Sequence, residues 1–174
     1  MAETYSVLMP IDLLPPGGPQ LFIDAAIDKV EKTAIDRLKG ARVTVRDLLP
    51  SDLGLTNDVW YETTGSSANT WEDSDIADKE IADNTFVCIW GVTILSNEPS
   101  VSALKVKISN AVKAIWSLDK LVDRDVKVAV VKSPIIITQN MRVTIQHYVK
   151  IANAGIEIAF DGCVVEKEGV KINA

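Results

Sequence analysis

The chain has 174 residues, 47% of them hydrophobic and 24% charged, which places it with ordinary globular proteins able to bury one substantial core. Its net charge of −6 and pI near 4.8 argue against nucleic acid as a direct partner, because phosphate binding needs a basic patch and no long basic run occurs. No stretch approaches the ~20 apolar residues of a membrane span, and Met1-Ala2-Glu3-Thr4-Tyr5 lacks the basic and apolar regions of a signal peptide, so synthesis and retention in a cytoplasm are expected.

Tyr5 to Met9 alternates weakly, and Pro10, Pro15, Pro16, Gly17, Gly18 and Pro19 then make a stiff, irregular stretch. Residues 1–19 read as a Pro-rich N-terminal arm, available to lie on a neighbour, and residues 20–174 as a single β-rich domain. Gln20 to Lys39 carries Ile23, Ala26, Ile27, Val30, Ala34 and Leu38 at helical spacing. Pro19 suits a first-turn position and Gly40 the residue after the helix end. Ala41 to Arg46 reads as a short strand with Val43 and Val45 on one face. Leu48 to Tyr61 reads as an irregular loop anchored by Trp60, and Thr63 to Ala68 has the most flexible composition of the chain. The acidic run from Glu72 to Asp83 reads as a solvated loop or one short helix. Phe86 to Leu95 is apolar on both faces, the mark of a central strand.

Val101 to Val122 fits two templates. As strands, Leu104, Val106 and Ile108 alternate with Lys105 and Lys107, Ser109-Asn110 turns the chain, and Val112, Ala114, Trp116 and Leu118 form the next row. As a helix, Val101, Leu104, Ile108, Ala111, Ile115, Leu118 and Val122 fall three and four apart. The β-branched residues and the Ser-Asn pair favour strands; the alternative is an α+β fold with a second helix at 101–122.

The last third alternates most clearly. In Arg142 to Val149 the apolar row is Val143, Ile145, His147 and Val149, and a period of two sends that row inward. Val126, Val128 and Val130 form a similar row, as do Ile156, Ile158 and Phe160. Ser133-Pro134, Gln139-Asn140, Asn153-Ala154-Gly155 and Asp161-Gly162 lie between rows as turn signals. Asp161-Gly162 before Cys163-Val164-Val165 is the strongest hairpin signal; Glu168-Gly169 ends that strand, Val170 to Ile172 makes a short terminal one, and Ile135 to Thr138 adds a further candidate.

No residue set points to catalysis, a cofactor or a metal. His147 is the only histidine, which excludes a His-based metal cage within one chain; on an apolar strand face it reads as a satisfied core histidine. Asp73, Asp75, Asp78 and Glu80 are the densest carboxylates, but an EF-hand loop needs an oxygen at its fifth position and Gly at its sixth, where Ala77 and Asp78 stand. Pro16-Gly17-Gly18-Pro19 has no following Lys and is no phosphate loop. Trp60, Trp71, Trp90 and Trp116 read as core or interface anchors, and Arg46, Arg124 and Arg142 are too scattered for an anion clamp. Cys88 and Cys163 each sit in an apolar run and read as buried free thiols; the alternative, a disulfide between them, is not decided by the sequence.

About eight antiparallel strands in two sheets is the jelly-roll count. With its Pro-rich arm, its interrupting loop and strands running to the end of the sequence, the chain from Ala41 onward resembles the single jelly-roll capsid proteins of membrane-containing icosahedral bacterial and archaeal viruses. The resemblance implies a non-enzymatic structural protein that assembles with copies of itself and other structural proteins into a virion shell. The helix at 20–39 is an addition to a minimal jelly roll. Competing expectations are a β-sandwich binding module for a small ligand or peptide around Trp60 and Trp71, and an α+β enzyme; no small-molecule substrate is evident from motifs.

Overall fold

A computed structural model describes residues 8–55 and 59–169, apart from the side chains at 74–77. Most strands form where side chains alternate in polarity, and they assemble into two packed antiparallel sheets. The first sheet has the order β1-β8-β5-β11-β2, from Leu8–Pro10 (β1), Val43–Asp47 (β2), Thr85–Ile94 (β5), Val128–Ile137 (β8) and Ile158–Lys167 (β11). The second has the order β4-β9-β6-β7, from Trp71–Glu80 (β4), Val101–Ile108 (β6), Ala111–Ser117 (β7) and Arg142–Val149 (β9). A two-stranded ladder joins Glu62–Thr63 (β3) to Gly155–Ile156 (β10).

Leaving aside the arm strand and this small ladder, the pairing is nested. β2 pairs with β11, β4 with β9, β5 with β8 and β6 with β7. First meets last and second meets second-to-last, a long folded hairpin wrapped so that β5 also meets β11 and β6 meets β9. That is a jelly roll. Its core lies between the sheets, where Val87, Ile89, Val106, Trp116, Ile145 and Val164 are buried together.

The region 101–122 is therefore two strands, not a helix; only Asp119–Val122 (α2) is helical. Ser109 and Asn110 have φ of 47° and 68°, the left-handed pair that a two-residue hairpin turn requires. The long helix is Gly18–Arg37 (α1), close to the expected span, with Gly40 at φ +80° donating its N–H to Ile35 O. It lies on the outer face of the first sheet. Ala26, Val30 and Ala34 project at intervals of one turn onto Phe86, Cys88, Trp90, Cys163 and Val165, and the two alanines let the helix approach closely. The first sheet is thus buried on both faces, which is why β5 reads as apolar throughout.

Four expectations need correction. The acidic run is not a loop or helix: Trp71–Glu80 is the edge strand of the second sheet, and charged side chains suit an edge, where they discourage further pairing. Asp161-Gly162 is not a hairpin; it lies inside β11 at a bulge, where the register passes from Asp161↔Gly91 to Gly162↔Ile89. Ser133-Pro134 does not separate strands but sits in a larger bulge of β8, since Ile89 pairs with Ile135 and Gly91 with Val130. Proline is tolerated at such a bulge because no ladder N–H is needed there. Fourth, in the Thr63–Ala68 stretch Thr63 is paired, and buried Thr64 donates its hydroxyl to Ile151 O and accepts from Ala154 N–H. Of the arm, Leu8–Pro10 pairs with the chain's own β8. The terminal strand expected at 170–172 lies outside the described residues.

Candidate functional site

Both ladders of β5 break at one residue. Trp90 has no partner on β11 and faces the bulge 131–134 of β8. Val87 and Ile89 face the inner core, as do Val92 and Ile94, so the inward phase slips at Trp90 and Gly91. β-Bulges re-aim side chains in this way. Trp90 turns to the helix-covered face, and Gly91 lets β8 pass close by, since a β-carbon there would stand 2.7 Å from Ala129 O; the carboxylate of Asp161 lies beside it.

A cavity of about 390 Å³ opens at this irregularity. β2 ends at Asp47, and the next N–H, that of Leu48, still reaches Gly162 O at 3.2 Å. Beyond that point no strand among the described residues covers the edge of β11, and Trp60 packs there on Phe160 with ring centroids 5.8 Å apart. Trp60, Trp90 and Phe160 are the aromatic residues that border the cavity, Trp90 and Phe160 being themselves largely buried, and Ile11 of the arm, Ile23 of α1, Asp47 and Asp161 border it too. Asp47 is exposed and Asp161 is partly buried. Asp161 accepts a hydrogen bond from the Thr93 hydroxyl at 2.8 Å. Burial pushes its pKa above the usual carboxylate value, and the Thr93 bond opposes that shift. None of the residues lining the cavity is cationic.

The residues singled out in the sequence do not converge. His147 is in the core as expected, but it is not satisfied. Its side chain is 2% exposed, and among the described residues neither ring nitrogen has a hydrogen-bond partner. The nearest carboxylate is Glu72, 3.5 Å from Nε2, and Glu72 already accepts the Gly65 N–H at 2.7 Å. Asp73 accepts from Gln146 and Asp78 pairs with Arg142. Asp75 lies on the same strand with its side chain outside the described ones. Among the described residues no three acidic, Cys or His side chains gather to hold a metal.

The tryptophans part company. Trp71 stacks edge-on to Tyr148 at 5.4 Å and beneath Lys105 at 4.0 Å, whereas Trp60 belongs to the cavity. Trp116 is core, 6.3 Å from Phe160. Arg46 binds Asp52 and Glu166, and this raises its pKa further. The triad ties β2 and β11 to the 3-10 turn at Pro50–Leu53. Arg142 is on β9 and Arg124 follows α2, so the arginines form no clamp. Pro16-Gly17-Gly18-Pro19 caps α1, with Gly17 at φ 77°. Sequence reasoning missed Asp161 because it stands in an apparent turn; an acidic residue and a glycine within an apolar strand is the signal for a bulge.

No protein-family model matches the chain, and no curated protein sequence matches it. Function has to be argued from the fold and these residues alone.

Proposed function

We propose that the chain is a self-assembling structural protein that tiles a shell with copies of itself, a virion capsid being the best fit. The observation that carries this reading is a group of three exposed apolar side chains at one end of the sandwich, apart from the more exposed Leu13 and Leu21 near the start of the chain. Tyr61, Leu95 and Ile151 are each about half exposed, at 53%, 54% and 47%. They stand on three different connections that hold one another. The Tyr61 ring lies against Gly155, Leu95 N–H donates to Glu157 O, and Ile151 N–H donates to Ser100 O. Apolar side chains gathered at one end of a sandwich mark a contact surface, and a jelly roll offers such an end to its neighbours in a shell.

Light scattering after size exclusion, with electron microscopy, tests the reading. Closed particles or discrete oligomers are expected, and Tyr61→Ser with Leu95→Ser and Ile151→Ser is expected to shift them to monomer. A monodisperse wild-type monomer at high concentration would overturn it. The second reading is a ligand-binding module, favoured by the aromatic cavity beside Trp60.

A further inference from the structure

We propose that the cavity at the β5–β11 bulge binds a small organic ammonium ion whose apolar tail lies against Trp60, Trp90 and Phe160 and whose charged head meets Asp161. The inference rests on the second reading above, not on assembly, and names the ligand class that such a module takes.

Three observations converge on this. The volume, about 390 Å³, is in the range of small-molecule sites, which bury most of a ligand against apolar walls around a few placed polar groups. Aromatic faces carry negative potential and attract cations, and three aromatic side chains line this space. Asp161 is a carboxylate withdrawn from water and offset only by a neutral hydroxyl, that of Thr93, among lining residues that include no cation. Such a charge is costly to bury unpaired. Asp47 adds a second negative charge from a more exposed position. An anion is repelled by this arrangement, and a neutral molecule leaves the carboxylate unmatched. An alkyl- or arylalkylammonium satisfies both the walls and the charge.

The bulge makes the placement possible. With a side chain at Gly91, a β-carbon would stand 2.7 Å from Ala129 O and 3.4 Å from the Asp161 carboxylate. The glycine therefore admits the backbone of β8 at this point, and the carboxylate lies at ordinary contact distance beside it.

The experiment titrates purified protein with 2-phenylethylammonium and with 2-phenylethanol, its neutral counterpart, by calorimetry and tryptophan fluorescence at neutral pH. The ammonium is expected to bind at least about tenfold more tightly, the factor that one modest charge-assisted contact supplies. Asp161→Asn keeps an oxygen for Thr93 and is expected to remove most of that preference. Asp47→Asn is expected to weaken ammonium binding less, and it provides a second carboxylate variant should Asp161→Asn not fold. Trp60→Leu is expected to weaken both probes. Equal binding of the two probes, or an undiminished preference in Asp161→Asn, overturns the proposal while leaving a cavity that binds ligands. Binding of neither probe overturns the proposal and the second reading together.

Discussion

Gly162 lies against Cys88 so closely that a β-carbon there would overlap the Cys88 carbonyl oxygen. The glycine is what lets β11 run straight past the bulge of β5. Because the obstacle is backbone, the neighbour cannot swing aside as a side chain could. Gly162→Ala is expected to cost about 2–4 kcal/mol, at and above the upper end of the ~1–3 kcal/mol usual for overpacking, measured as a lower midpoint of urea unfolding. A change under about 0.5 kcal/mol would show that the two strands do not pass at this distance.

Cys88 and Cys163 are direct partners in the same ladder, both buried beneath α1 as free thiols. The hydrogen bond between the two thiols pushes Cys88 well above its ordinary value, with burial adding to the rise, and pulls Cys163 down against its own burial. Thiolate is the reactive form, but a reagent must also reach it, and both thiols are buried beneath α1, so a thiol-specific reagent is expected to label neither residue in the folded protein at pH 8. Denaturant should then release two equivalents, the full cysteine content. Rapid modification of one equivalent without denaturant would show that the helix does not seal this layer.

How much of this was readable beforehand depended on whether each residue's surroundings were local. The helix α1 and strand β9 follow from spacing alone, since each has one clear inner row, whereas the spacing of β6 and β7 fits a helix as well. The ambiguity over 101–122 was settled by Ser109 and Asn110, whose left-handed backbone closes a hairpin and would interrupt a helix. β4 was hidden because a strand at a sheet edge needs no apolar alternation; Glu72, Asp73 and Asp78 find partners on β3–β4 connections or on β9 that sequence spacing does not encode. Asp161-Gly162 and Ser133-Pro134 carry the composition of turns. Only the opposing strand, with Trp90 stepping out of both ladders, shows them to be bulges. The cavity was invisible for the same reason: Asp47, Trp60, Trp90 and Asp161 are brought together by the end of β2, a loop, and the interiors of β5 and β11 at their bulge.

His147 offers a test of what an unsatisfied polar group costs. Its ring is buried among Leu104, Ile145 and Val149 on the inner face, and among the described residues neither nitrogen has a hydrogen-bond partner. Replacing a buried, unpaired polar side chain by an apolar one of similar size removes its desolvation penalty. His147→Leu is expected to raise unfolding stability by about 1 kcal/mol at neutral pH, while Glu72 keeps its bond to Gly65 N–H. A loss of more than about 1 kcal/mol would mean that the imidazole contributes an interaction stronger than its 3.5 Å approach to Glu72.

Asp161 gives a pH dependence of definite sign. Burial raises its pKa in the folded chain above the unfolded value, so between the two values the folded state holds the extra proton. Stability contributed by that proton is complete below the unfolded value, near ~3.9, and is lost as pH rises through the folded one. Above that window the wild type carries an unpaired, partly buried charge that Asp161→Asn lacks. The variant is therefore expected to melt higher at pH 7, by about 2–4 °C if the relief is about 1 kcal/mol in a chain of this size, and to match the wild type in acid. Scanning calorimetry across that range checks it. With 2-phenylethylammonium present the order should narrow or reverse at pH 7, because the ligand binds the wild type more tightly and so stabilises it more. A variant less stable than the wild type at pH 7 without ligand would mean that the carboxylate is already matched within the fold, and that the cavity holds no charge waiting for a partner.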